Sequence, residues 1–561
     1  MMEGSRGLPL NRSRPLRVGL RLNRSRPLLV GLLLSLSAAA AAAGDCDGGA
    51  TIGASLWPTP RRSSMGDGAT PVRSVTIRLN ASAAGAPVLE AAAARYGARV
   101  RGGAAGAAYV CYVDVASPSA AAAPQLEDFE GGGEAYALTA TAAGAQIVAA
   151  TVWGALRGLE TLFQAVVRDG DAWCVAGTPL SVDDAPRFPW RGLLLDTARR
   201  FYPVAAILRQ LDAMEASKLN VFHWHLTDSE SVPVALAALP AAAAAGAFAP
   251  AATYDAAAVA TVVAHAAARG IRVVPEFDAP AHAGGFFLSR PDLFCGDTYA
   301  DAVLDPTREA VYEFLDALYA SSAALFPDAV LHVGGDEVST ACWNASASVR
   351  AWLAARNATV ASLYGYYEAR AVAIAARAGR APMAWDEAFA DPGARAGLDP
   401  RRAIVHAWNG PGGSPVTSDP RLAAAVAAGF RAVSSHGFYL TAGDGVDADL
   451  VVKWEHLYDR DLAAPLGENG SSPLLLGAEV ALWGEKIDHR TVDAVAWPRA
   501  AVFAARLWSP DAAFTPGNYT AAFRRLVVHR CRLVRLGVAA TPVDEGAQKF
   551  DRRSPWLQCL S

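Results

Sequence analysis

The sequence predicts an α/β fold, a (β/α)8 TIM barrel preceded by a small α+β domain. Three observations carry this. Eight short apolar runs recur from about residue 190 onward, at 193–195, 221–225, 273–277, 329–333, 382–385, 404–407, 432–434 and 474–480. Helix-like segments lie between most of them. The stretch 205–217 sets Ile207, Leu208, Leu211 and Met214 at helical spacing, and 256–269 and 308–325 behave similarly. Polar, chemistry-bearing residues follow each run on its C-terminal side. Strands alternating with helices build parallel βαβ units, and eight such units close a barrel.

Upstream, residues 70–188 read as the separate α+β domain, with strands at 72–79 and 108–115 and a helix at 151–167. The glycine- and alanine-rich stretches 102–107 and 118–133 read as loops. The barrel then occupies 189–561, closed by a basic amphipathic helix at 515–537.

Composition removes whole classes of function. The 561 residues carry 50 Lys+Arg against 54 Asp+Glu, a formal net charge of −4, so no electrostatic basis for nucleic-acid binding exists. With 52% hydrophobic residues the chain can bury a large core, which excludes wholesale disorder. Residues 1–45 read as a targeting segment: arginines at 6, 12, 14, 17, 21, 24 and 26 precede an apolar run at 28–43, the order of a secretory signal. An Arg-rich transit peptide and an uncleaved membrane anchor are the alternatives, although the run falls short of the ~20 residues of a membrane span.

Seven cysteines show no CxxC pair and no Cys/His ligand spacing, which argues against zinc and for disulfides in an oxidising compartment, with one thiol left over. Glycosylation sequons stand at Asn80, Asn344, Asn357, Asn469 and Asn518.

The residues after the runs define a candidate site, because all strand C-termini of a barrel open onto one face. Asp196 and Arg199 follow the first run, Asp228 the second, Asp278 and His282 the third, and Asp336 and Glu337 the fourth. Trp385 to Glu387 close the fifth, Trp408 the sixth, Tyr439 the seventh, and Trp483 and Glu485 the eighth. Aromatic walls edged by carboxylates suit sugar rings, with their apolar C–H faces and polar rims. Acid-assisted cleavage of a glycosidic bond needs a carboxyl held protonated near neutral pH by burial. Ordinary retaining glycosidases set a second carboxylate about 5 Å away as nucleophile. Asp336, adjacent in sequence to Glu337, is poorly placed for that opposing position, which points to a nucleophile that lies elsewhere, the substrate being one source.

The stretches RGLLLDTARRFYP (191–203), KLNVFHWHLTDS (218–229), RVVPEFDAPAH (272–282), LHVGGDEV (331–338), PMAWDE (382–387), LLGAEVALWGE (475–485) and WPRAAVFAARLWS (497–509), with VWGALRGLETL (152–162) upstream, resemble the β-N-acetylhexosaminidases of glycoside hydrolase family 20. The resemblance covers roughly residues 70–561. It implies exo-cleavage of terminal β-linked N-acetylglucosamine or N-acetylgalactosamine by substrate-assisted retaining hydrolysis. Glu337 then protonates the leaving oxygen while the substrate's 2-acetamido carbonyl attacks the anomeric carbon. Asp336 orients the acetamido N–H, and Tyr439 hydrogen-bonds the acetamido carbonyl. Trp385, Trp408 and Trp483 enclose the methyl group and ring, Arg199 and Glu485 hold hydroxyls, and Asp228 and His282 support the acid.

No metal or other cofactor is implied. The implied partner is a glycan substrate, with a homodimer left open, and the implied location is the secretory pathway, ending in a lysosome, a vacuole or the extracellular space. Cys295–Cys342 and Cys531–Cys559 match family disulfides, while pairing among Cys46, Cys111 and Cys174 stays open. Two departures are visible: Ala281 where the family usually has Gly, and Thr441 where many relatives carry Asp or Asn.

Two rival readings follow from the same residues. His223-Trp224-His225 puts two imidazoles on one strand face, as a metal-dependent amidohydrolase on a barrel would. A sugar-binding protein with a dead site is the other, and the intact Asp336–Glu337 pair argues against it.

Overall fold

The computed structural model describes residues 46, 55–100, 106–117, 123–169, 171–296, 298, 302–409, 419–441, 452–469, 472–543 and 559. The targeting segment at 1–45 lies outside the described residues. Among the described residues, no helix is long and apolar enough to cross a membrane.

The first layer is a six-stranded mixed sheet. Its strands are β1 (Arg62–Leu79), β2 (Ala107–Ser117), β3 (Tyr136–Thr141), β4 (Gly144–Thr151), β5 (Val166–Asp169) and β6 (Ala172–Asp184), in the order β1-β2-β4-β3-β6-β5, with β1 also pairing β6. Burial alternates residue by residue along β3 and β4, so one face is packed and the other wet. The helices Pro87–Arg99 and Val152–Ala165 pack on this sheet. Thr151 caps the second helix, its side chain accepting from the N–H groups of Trp153 and Gly154. That helix is buried along its whole length, because barrel segments meet it from the other side. Its Arg157 donates to Glu134 at 2.8 Å and to the carbonyls of Arg269 and Gly270, while Glu134 also takes Arg191 at 2.7 Å. A buried carboxylate shared by two arginines therefore ties the sheet to the barrel, and removing either partner type would leave an uncompensated charge.

The sequence reading found two of these six strands. Gly, Ser and Asp fill the first half of β1, whose strand character comes from antiparallel pairing with β6 and not from its own pattern. In β3 and β4 alternation is carried largely by alanine, which gives little contrast. The helix expected at 151–167 ends at Ala165, because Val166 enters β5, and short 3-10 turns at Leu126–Asp128 and Glu130–Gly132 interrupt the expected loop.

All eight predicted barrel strands are present: β7 (Trp190–Asp196), β8 (Val221–His225), β9 (Arg272–Glu276), β10 (Val330–His332), β11 (Ala381–Trp385), β12 (Ile404–Ala407), β13 (Arg431–Ser434) and β14 (Leu475–Leu482). They are parallel and closed, with β14 pairing β7. Inward-facing side chains stack in layers. An apolar floor of Trp190, Val221, Val274, Val330, Met383, Ile404, Val433 and Leu476 is plugged by Leu126. One step up, two residues further along several strands, the layer turns polar: His223, Glu276, His332, His406 and Glu479, each fully buried. The closing helix runs Thr520–Arg535, five residues later than its expected start, after the Pro516–Gly517 turn. Its Phe523, Leu526 and Val527 join the main core, and His529 Nε2 meets Ser217 Oγ at 3.0 Å.

Candidate active site

The fourth strand ends in a turn pinned at almost every residue. Val333 N–H donates to Met383 O, Trp385 N–H to Gly334 O, and Tyr364 OH to Gly335 O. Gly334 has φ +78°, and a Cβ there would lie 1.8 Å from Asp278 Oδ1; Gly335 has φ +106° and would meet Glu368 Oε1 at 2.9 Å. Only glycine fits both positions. The turn delivers Asp336 and Glu337 side by side at the mouth. Glu337 itself sits at φ +52°, an uncommon conformation for a side-chain-bearing residue and one that aims it away from the barrel wall.

His282 (φ +51°) reaches both carboxyls through one nitrogen, its Nε2 lying 3.2 Å from Glu337 Oε2 and 3.9 Å from Asp336 Oδ2. Its Nδ1 lies 3.2 Å from Asp228 Oδ1. Burial alone would lower the His282 pKa, but Asp336 and the bonds to Asp228 and Glu337 raise it far above the ordinary range. Arg199 closes the ring of charge, with Nη2 2.7 Å from Asp228, Nη1 3.2 Å from Asp196 and Nε 3.4 Å from Glu230.

Two carboxyls side by side have opposite environments. Burial raises the pKa of Asp336. The hydrogen bond from His282 holds Glu337 below its ordinary value, and its side chain is 58% exposed. The expectation of an acid kept protonated by burial is thus not met in the open site. The imidazole favours its protonated form and the carboxyl its ionised form, and covering the two with a ligand is what would desolvate them.

The structure brings Trp385, Trp408, Tyr439 and Trp483 together. Trp385, buried at the end of β11, stacks on His406 at 4.2 Å and lies 6.1 Å from Trp483, and Tyr439 meets Trp483 at 6.0 Å. Trp408 donates its Nε1–H to Glu387 Oε2 at 3.0 Å and packs in the same cluster. Arg199 lies over the Trp483 ring at 5.2 Å, and Glu485 keeps a buried, unpartnered Oε2 near it. Thr441 is buried, and Ala281 lines an open recess of about 640 Å³ beside Glu337.

Three residues were seen at strand ends, or not at all, and given no role by the sequence. Asp278 is buried, hydrogen-bonds Asp336 and accepts Gly335 N–H at 3.2 Å; burial and Asp336 together push its pKa well up. Glu387 is pushed up to about 7 by burial and by Asp336. Glu230 had no signal apart from its nearness to Asp228 in sequence. As for the His223–Trp224–His225 motif, both imidazoles face carboxylates inside the barrel: His223 Nδ1 lies 2.8 Å from Glu479, and His225 contacts Glu276 at 2.6 Å and Asp228 at 2.8 Å.

Residues 188–511 match glycosyl hydrolase family 20, catalytic domain, and residues 104–165 match the beta-acetyl hexosaminidase like family. The chain is 33% identical over 435 residues to beta-hexosaminidase subunit beta of Felis catus, covering 75% of this chain and 77% of the relative. It is 36% identical over 415 residues to beta-hexosaminidase 1 of Arabidopsis thaliana, covering 73% of each. The chain belongs to glycosyl hydrolase family 20. Among solved structures, the Flavobacterium johnsoniae chitobiase superposes with a TM-score of 0.70 at 27% identity, covering 87% of this chain and 74% of that one.

In this family 20 chain, Cys295–Cys342 and Cys531–Cys559 are bonded as the resemblance implied, and the open question resolves to Cys46–Cys174 with Cys111 a buried free thiol. Of the sequons, Asn344, Asn357 and Asn518 are exposed. The Asn80 amide is engaged with Asp114 at 2.7 Å, and the Asn469 side chain lies outside the described residues.

Proposed function

We propose that the chain is an exo-acting β-N-acetylhexosaminidase, removing terminal β-linked N-acetylglucosamine or N-acetylgalactosamine from glycans by substrate-assisted retaining hydrolysis. The single observation that carries this reading is that one nitrogen, His282 Nε2, reaches both Asp336 and Glu337. Both carboxyls also leave adjacent positions of one turn after β10, whereas an acid and a nucleophile flank a sugar from opposite sides. Retention then requires a nucleophile from the substrate, and the acetamido carbonyl oxygen, which closes a five-membered ring on the anomeric carbon through C2, N and the carbonyl carbon, supplies one.

In this reading Glu337 protonates the departing oxygen as the acetamido oxygen closes on C1. Asp336 accepts the acetamido N–H and stabilises the positive charge of the oxazolinium ring. Tyr439 donates to the carbonyl oxygen, and Trp385, Trp408 and Trp483 wall in the methyl group so the amide stays bent toward C1. Arg199 and Glu485 bind ring hydroxyls. Glu337, now a carboxylate, then takes a proton from the water that opens the ring. Holding the internal nucleophile near its target contributes several kcal/mol, with ~7–11 as the ideal limit.

The frame is a targeting segment at 1–45, an α+β domain at 70–188 and a catalytic barrel at 189–561, passing through the secretory pathway to a lysosome, a vacuole or the outside. The three disulfides support an oxidising compartment, and a homodimer is the assembly we propose to test by sedimentation. The mechanism is tested by Glu337→Gln and Asp336→Asn together with an N-acetylglucosamine-derived thiazoline. Both variants should lose turnover of alkyl glycosides by orders of magnitude, the thiazoline should inhibit competitively, and the first sugar released should be the β-anomer. Release of the α-anomer would contradict the scheme.

A further inference from the structure

The polar layer inside the barrel runs to the mouth as a line of close N···O contacts. Glu479 on β14 accepts Trp190 Nε1–H at 2.7 Å and meets His223 Nδ1 at 2.8 Å. His223 Nε2 lies 3.1 Å from Glu276 Oε2 on β9, and the same oxygen meets His225 Nδ1 at 2.6 Å. His225 Nε2 lies 2.8 Å from Asp228 Oδ2, Asp228 Oδ1 lies 3.2 Å from His282 Nδ1, and His282 Nε2 lies 3.2 Å from Glu337. Acids and imidazoles alternate along the entire line, from the barrel axis to the exposed carboxyl.

His225 is the joint. It is fully buried, and each of its nitrogens faces a carboxylate oxygen. Only the doubly protonated ring donates on both sides. Asp196 adds negative charge that favours the same form, and the ring edge abuts Trp483 at 5.1 Å. Burial opposes the charge, but Glu276 and the two hydrogen bonds outweigh it. Besides His225, Asp228 meets Arg199 at Oδ2 and, at Oδ1, both His282 and the Ser229 N–H, contacts that pull from different directions. A fixed donor from the barrel interior settles its rotamer, so that Oδ1 is left for His282 Nδ1–H and His282 Nε2 is turned to Glu337.

We propose that the buried His225–Glu276 pair is a positioning unit for the general acid, holding Asp228 in the orientation that fixes His282 against Glu337. Neither residue touches the sugar; both act through Asp228. The proposal rests on the reading of Glu337 as the acid, and it assigns a task to the HxH motif and to the Glu276 carboxylate in the barrel layer, which the proposed mechanism leaves idle.

The test uses the full chain carrying Glu276→Gln or His225→Gln, each checked for folding by circular dichroism and thermal melting. Glu276→Gln keeps the shape but removes the charge that holds His225 as an imidazolium. His225→Gln keeps one neutral donor toward Asp228. Activity is read on two β-N-acetylglucosaminides, a 4-methylumbelliferyl-free alkyl glycoside that needs its leaving oxygen protonated and a 2,4-dinitrophenyl glycoside that does not. We expect kcat on the alkyl glycoside to fall ~10–100-fold, the range for residues that orient a first contact layer. On the dinitrophenyl glycoside it should fall less than about threefold, with KM nearly constant on both, because sugar contacts are untouched.

Equal losses on both substrates, or no loss on either, would overturn the proposal. Two variants that both fail to fold would assign the pair to folding and overturn it too. The wild-type chain and Glu337→Gln run beside them: if Glu337→Gln itself shows no leaving-group dependence, the acid assignment fails, and that result is distinct from failure of the positioning role.

Discussion

Thr441 Oγ1 accepts the backbone N–H of Trp483 at 3.0 Å. This threonine replaces the Asp or Asn that the family resemblance leads one to expect, and it is buried, so its contact runs to the loop carrying an aromatic wall residue. Thr441→Val keeps the shape and removes the acceptor. An unpaired buried N–H costs about 1–3 kcal/mol. We expect a lower Tm and a severalfold rise in KM with a smaller change in kcat, and Thr441→Ser should restore both. An unchanged KM would show that Trp483 is held by other means.

Glu387 supplies a pH signature. Its carboxyl titrates at about 7 in the folded chain because it is buried and close to Asp336, against about 4.3 when free. The native state thus holds a proton that the unfolded chain has released throughout this window, and stability falls as pH rises from about 4.3 to 7. Glu387→Gln removes that loss while its oxygen can still accept from Trp408. The variant should melt higher than wild type at pH 8 and equally at pH 4. Thermal melts across pH check this, and a gain confined to low pH would contradict the sign.

The Cys295–Cys342 bridge spans 47 residues and lines the recess beside Glu337. Closing a loop of that length is worth about 4 kcal/mol on the chain-entropy account. Replacing both cysteines by alanine should lower Tm by several degrees and reduce kcat, because the segment following Glu337 loses its staple. Differential scanning calorimetry with parallel kinetics reads both.

Gly334→Ala should be among the most damaging single substitutions, since its methyl would collide with Asp278 Oδ1 at 1.8 Å. The expected result is loss of activity with a lowered melting temperature. A fully active variant would show that the turn beneath Asp336 can relax.

The barrel was legible because each of its strands is a short apolar run with polar residues immediately beyond it, a pattern that positions 221–225 and 272–278 display plainly. The mouth residues followed from that placement. The N-terminal sheet was half hidden: alanine stands on both the buried and the exposed faces of β3 and β4 and blurs their alternation, and the first half of β1 is a strand only because β6 lies beside it. Asp278, Glu387 and the barrel's inner charges escaped for a different reason. Their roles depend on what lies across the barrel, as with Glu276 facing His223 and His225 from a neighbouring strand, and no spacing along the chain records that. The setting of Glu337 was hidden for the same reason, because sequence cannot show a histidine 3.2 Å away at an open mouth.

The central claim is that the bound sugar's own acetamido group is the nucleophile. The most direct measurement compares kcat/KM for 4-nitrophenyl β-N-acetylglucosaminide with that for 4-nitrophenyl β-glucoside, identical but for a hydroxyl at C2. The account predicts rapid hydrolysis of the first and a rate on the second lower by several orders of magnitude; comparable rates on the two would contradict it.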